Sequence, residues 1–187
     1  MSVYDERLKR FQAIMQSTAD VAFLPHSADL QYLTGVPRDI PNFGTTIHPG
    51  EWLEGAWIAP GRPPILALPR MSAEFGGLDR LTGIDLRVLG DWDSPAEMVR
   101  GILKSFDLPA KPRIAISRGT HGETITELEQ IVPDSVFVSA TDLVRQLRVI
   151  KSEEEIAIMR RAGEITEAAF ADVLKALKYG MTELDVV

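Results

Sequence analysis

Two apolar runs, GAWIAP (Gly55–Pro60) and PILALP (Pro64–Pro69), stand on either side of Gly61–Arg62–Pro63. Apolar runs around a tight Pro/Gly turn predict an antiparallel hairpin. The other extended runs are DVAFLP (Asp20–Pro25), DLRVLGD (Asp85–Asp91), RIAISR (Arg113–Arg118) and SVFVSA (Ser135–Ala140). These alternate with helical patterns. A hairpin makes antiparallel neighbours, whereas strand–helix–strand crossovers make parallel ones. The combination constrains the chain to an α/β fold: a mixed sheet of five or six strands with helices on both faces.

Helix signals fill the gaps. Ser2 precedes a helix with Leu8, Phe11, Ile14 and Met15 on one face. Ser27 is placed to cap a short helix, ADLQYLT, with Gly35 just past its end. Ser94, Pro95 and Glu97 predict a capping box, as do Thr120 with Glu123 and Ser152 with Glu155. DLVRQLRVI (Asp142–Ile150) reads as a short helix. After Ser152, the residues Ile156, Met159, Ala162, Gly163, Thr166, Phe170, Val173, Leu174 and Leu177 recur at helical spacing. Gly180 is expected to end that helix, and Thr182 with Asp185 to open another. Val187 would fall in the first turn of the new helix, so the chain is expected to be a piece of a longer polypeptide. A long irregular stretch from Val36 to about Leu53 carries three prolines, a pattern often functional in a compact domain.

Composition narrows the function classes. The chain has 187 residues and a net charge of −7, with no clustered Lys/Arg to displace counterions from a nucleic acid. It has no cysteine, which excludes thiolate catalysis and disulfides. The amphipathic start, MSVYDERLKRFQAIMQ, lacks the apolar stretch of a secretory signal. No apolar run approaches membrane-spanning length. The expectation is a soluble, cytoplasmic protein with neither nucleic-acid nor membrane partners.

LRVIKSEEEIAIMRRAGEITEAAF, from Leu147 to Phe170, resembles the junction in the creatinase, prolidase and aminopeptidase P family. There an N-terminal domain meets a catalytic pita-bread domain. GMTELDVV at the end of the chain is similar to the family's next step, and DLQYLTG (Asp29–Gly35) to its Tyr-x-x-Gly segment. The resemblance implies a creatinase-type, ribonuclease H-like N-terminal domain over residues 1–146. It implies a linker and the truncated start of the catalytic domain over 147–187. The implied function is the non-catalytic N-terminal domain of a Xaa-Pro peptidase-like metallohydrolase, serving dimerisation and shaping the substrate cleft. A creatinase-like hydrolase of small nitrogen compounds and a noncatalytic pita-bread binding protein remain alternatives. A parent peptidase would hold two divalent ions (manganese, cobalt or zinc), act on small proline-containing peptides and form a homodimer.

The chain's own residues give no catalytic or metal assignment. His26, His48 and His121 lie in separate segments without ligand spacing, and Asp172 and Asp185 read as solvated. Ser117 and His121 lack the strand–nucleophile–helix elbow, and Thr120 reads better as a helix cap. The candidate substrate-binding residues are Arg38, Phe43 and Trp52. Arg38 has the fork to bind a substrate carboxylate, or else pairs with Asp39 on the surface. Trp52 faces a substrate or dimer partner, or else packs in the core, while Trp57 belongs to a strand.

Overall fold

Alternation along the strands decides which core each side chain enters, because successive residues of a strand point to opposite faces. In a computed structural model describing residues 2–39, 50–78 and 83–186, six strands form one sheet in the order β4-β3-β2-β1-β5-β6. They are β1 (Val21–Pro25), β2 (Gly55–Ile58), β3 (Ile65–Pro69), β4 (Asp85–Leu89), β5 (Arg113–Ile116) and β6 (Val136–Ser139). Only β2 runs against its neighbours: it pairs antiparallel with β1 and β3, while β3–β4, β1–β5 and β5–β6 are parallel. The expected hairpin is present, with Ala56 opposite Leu66 and Trp57 opposite Ile65.

Seven helices accompany these strands among the described residues: α1 (Val3–Met15), α2 (Ala28–Thr34), α3 (Arg70–Phe75), α4 (Pro95–Ser105), α5 (Gly122–Ile131), α6 (Thr141–Arg148) and α7 (Glu153–Ala176). Ala22, Leu24, Ile58, Leu66 and Leu68 face a core shared with Phe11 and Met15 of α1, Leu30 and Leu33 of α2, and Val144 and Leu147 of α6. Their neighbours Val21, Phe23, Trp57, Ile65 and Ala67 face the second core, with Val99 and Ile102 of α4 and Leu128 of α5. Each large side chain buried this way contributes about 1.5–3 kcal/mol. Phe23 and Trp57, opposite each other on β1 and β2, hold their ring centroids 4.6 Å apart. The buried Gln12 ties α1 to the hairpin turn, its amide donating to the carbonyls of Ala59 and Arg62 at 2.7 Å each.

Most of the expected caps form. Ser2 and Asp5 make a reciprocal box, as do Ser152 and Glu155. The Ser27 hydroxyl accepts from the Leu30 N–H, and Gly35 closes α2 at φ +78°. Three expectations are corrected. Ser94 accepts from the Glu97 N–H, but the Glu97 carboxylate takes Arg100 at 2.6 Å instead of reaching back. Thr120 donates to the Ser117 carbonyl at 2.8 Å, and α5 starts after His121 with no side-chain cap. Helix α7 ends at Ala176 because Leu177 turns extended, and Gly180 lies beyond the end. Past it, the Asp185 carboxylate accepts from the Thr182 N–H at 2.7 Å before a short 3-10 turn, Glu183–Asp185.

The chain divides into two compact units, Met1–Leu147 and Arg148–Val187. The first holds the sheet and both cores. The second is built on α7, none of whose residues is buried. Among the described residues no helix is long and apolar enough to cross a membrane.

Candidate functional site

The order of the strands locates the site. From β1 the chain runs outward through β2, β3 and β4 on one side, then returns to lay β5 and β6 on the other. In sheets of this kind a crevice opens beyond the carboxyl ends of the strands where the order reverses. Here those ends are Pro25 of β1 and Ile116 of its parallel neighbour β5. Because β2 is reversed, it begins at this same edge, with Gly55 opposite Pro25.

Gly55 makes the approach possible. A Cβ on it would lie 2.5 Å from the Leu24 carbonyl oxygen and 2.8 Å from Pro25 Cα, with the backbone at φ +156°. Only glycine fits so close a crossing. Immediately before it, Glu51–Leu53 form a 3-10 turn, and the Glu54 N–H donates to the Glu51 carbonyl at 3.1 Å. At three residues per turn, positions i and i+3 eclipse. Glu51 and Glu54 therefore share a face, while Trp52 and Leu53 are buried. Thr124, in the first turn of α5 and fully buried, anchors the turn by donating to the Trp52 carbonyl at 2.7 Å.

The resulting half-open cleft has a volume of about 190 Å³. Phe23, Pro25 and His26 line it from the end of β1, with Glu51, Trp52 and Glu54 from the 3-10 turn. Gly119 and His121 close it from the loop after β5. His26 Nε2 lies 3.7 Å from Glu54 Oε1, and both side chains are largely buried. Neither His26 ring nitrogen has a hydrogen-bond partner. Burial pushes the His26 pKa below the ordinary histidine value. The Pro37 carbonyl gives a weaker opposing pull without a hydrogen bond of good geometry. Burial also raises the Glu54 carboxyl; a hydrogen bond from Ser72 opposes this, and the charge of Glu51 adds to it.

The sequence candidates are not brought together. Arg38 is exposed and pairs with the still more exposed Asp39 at 3.3 Å. Trp52 is buried at 4% exposure and lines the cleft. Phe43 lies outside the described residues, as does His48. The Ser117 hydroxyl is buried without a partner, so no base activates it. Asp172 is exposed and pairs with Lys175 at 3.1 Å. Among the described residues no group of three or more His, Asp or Glu is arranged to hold a metal ion. His26, Glu51 and Glu54 went unread as a site. Their one sequence signal was a pair of glutamates three apart just ahead of a glycine.

The model of the creatinase/prolidase N-terminal domain matches residues 7–150, and the chain belongs to that family. YkvY of Bacillus subtilis (strain 168) is 26% identical over 190 residues, covering 97% of this chain and 47% of the relative. The Xaa-Pro dipeptidase of Lactobacillus delbrueckii subsp. lactis is 24% identical over 181 residues, covering 93% of this chain and 45% of the relative. Among solved structures, the prolidase from Thermococcus sibiricus superposes with a TM-score of 0.82 at 18% identity, covering 100% of this chain and 48% of that one. The chain spans about half the length of these proteins. The domain is thus an N-terminal domain of the creatinase/prolidase type.

Proposed function

We propose that this chain supplies the N-terminal part of a Xaa-Pro dipeptidase-like metallohydrolase of the cytoplasm, acting on small proline-containing peptides. Its role there is to assemble a homodimer and to shape the substrate cleft. Residues 1–146 would form the N-terminal domain, and 147–187 the linker and opening helix of the pita-bread catalytic domain. The observation that carries this reading is the match over nearly the whole chain to a Xaa-Pro dipeptidase of about twice its length. The two divalent ions expected in the parent find no ligand group among the described residues here, so this chain's residues are not assigned to them.

Within that reading, Arg38 contributes a cation for a substrate carboxylate. Its partner Asp39 is solvated, and an exposed pair of this kind holds its members weakly. Phe43 belongs to the same loop in sequence. Trp52 acts from the wall of the cleft, fixing the turn that presents Glu51 and Glu54.

A substrate comparison on the parent protein with added manganese tests the proposal. Xaa-Pro dipeptides should be hydrolysed, and creatine and proline-free dipeptides left intact. Turnover of creatine in preference to Xaa-Pro peptides would overturn it.

A further inference from the structure

We propose that β4, the outer strand of the sheet, is a self-complementary edge through which two copies of this chain pair antiparallel about Leu86. The inference rests on the homodimer in the proposed function and names the surface that makes it. Strand β4 pairs with β3 on one side, and among the described residues no strand covers the other. Such an edge presents a row of unpaired N–H and C=O groups. The Asp85 N–H donates inward, to the Pro64 carbonyl at 2.9 Å. Successive residues turn their backbone groups to opposite edges of a strand, so Asp85, Arg87 and Leu89 face β3 while Leu86 and Val88 face outward. Edges are commonly guarded by proline, lysine or a bulge. The sequence of β4, DLRVL, has neither proline nor lysine, and its register with β3 is unbroken from Asp85 to Leu89.

The charges on β4 select one register. Asp85 and Arg87 lie on the same face, pair with each other at 2.6 Å and are both about half exposed. In a two-fold antiparallel pair, outward-facing residues must meet outward-facing residues, so the axis passes through a strand residue. An axis at Asp85 sets two aspartates opposite each other, and one at Arg87 sets two arginines opposite. Like charges directly opposite are destabilising. An axis at Leu86 sets Asp85 opposite Arg87 of the second copy, and symmetry repeats the contact. Leu86 then exchanges both N–H···O bonds with its counterpart. The charged residues take the neighbouring positions without such bonds, where facing side chains come closest.

The opposite face of the pair is apolar. Leu86 meets its counterpart, and Val88, 43% exposed, meets Ile84 of the second copy. Helix α3 packs on this side of the sheet through Ala73 and leaves Met71 and Phe75 exposed, which adds apolar surface at the same end. The other outer strand, β6, reads VFVS and carries no charge, so nothing on it selects a register.

The test is sedimentation of the 187-residue chain over a dilution series. The wild-type chain should pass reversibly from monomer to dimer. Arg87→Glu and Asp85→Arg, each on an exposed side chain, should each weaken the dimer at least about tenfold, because symmetry turns two attractions into two repulsions. Mixing the two variants should restore association as a one-to-one heterodimer, and combining both changes in one chain should restore the homodimer. A dimer indifferent to both reversals would overturn this interface and leave the homodimer to another surface. Failure of the mixture and of the double variant to associate would overturn it as well. A wild-type chain that stays monomeric throughout would also overturn it and leave the edge to some other extended segment, while the peptidase reading stands or falls by its substrate comparison.

Discussion

The Thr124 hydroxyl donates to the Trp52 carbonyl oxygen at 2.7 Å, joining α5 to the 3-10 turn across 72 residues of sequence. Thr124 is fully buried, so its removal would leave a carbonyl without a partner away from water. Thr124→Val keeps the shape and deletes the donor. It should destabilise the domain by about 1–3 kcal/mol, read as a lower denaturant midpoint with an unchanged slope. A midpoint equal to wild type would mean that the turn is held by packing alone.

Gly55 should tolerate no side chain. Its missing Cβ would press on the Leu24 carbonyl and Pro25 Cα, both backbone atoms of the central strand. Backbone cannot step aside as a side chain can. Gly55→Ala should therefore cost on the order of 2–4 kcal/mol in chemical denaturation. A loss within 0.5 kcal/mol, the ordinary range of surface substitutions, would show that β1 and β2 can separate at this edge.

The burial of His26 and of Glu54 sets a pH dependence whose sign can be worked out. Burial lowers the His26 pKa, so the unfolded chain takes up its proton near 6.5 while the folded chain does not. As pH falls from about 6.5 toward the lowered folded value, the unfolded state binds more protons and stability drops. Glu54 works the other way: its folded pKa is raised above 4.5, so protonating it as pH falls through that raised value relieves the buried charge. His26→Gln should flatten the stability profile just below pH 6.5 relative to wild type. Parallel profiles for the two proteins would remove His26 as the cause.

Arg38 separates binding from folding. It is exposed, and its Asp39 partner more so, hence Arg38→Ala should leave stability within about 0.5 kcal/mol of wild type. In the parent enzyme the same change should weaken substrate binding by about 1.5–3 kcal/mol if the contact is desolvated. A normal Michaelis constant would return Arg38 to an ordinary surface role.

Local signals carried the fold a long way. The hairpin turn at Gly61 and the caps Ser2, Ser27 and Ser152 are short-range features, and short-range chemistry decides them. The misreadings have equally local reasons. Thr120 resembles a cap, but its hydroxyl is committed to the Ser117 carbonyl, and Glu97 has a nearer partner in Arg100. Helix α3 went unread because it spans only six residues and starts at Pro69 without a side-chain cap. The cleft was illegible for a different reason. His26, Glu54 and His121 have no shared spacing, and only the parallel pairing of β1 with β5 and the close crossing at Gly55 bring them to one edge.

The central claim is that this domain serves a Xaa-Pro dipeptidase without carrying its chemistry. The most direct measurement is hydrolysis of a Xaa-Pro dipeptide by the purified 187-residue chain with manganese, cobalt or zinc. The account predicts no turnover above the metal-only blank, since generating a metal-bound hydroxide needs a ligand set that the described residues do not assemble. Metal-dependent turnover that follows the chain through purification, and is lost on substituting one of its own residues, would contradict it.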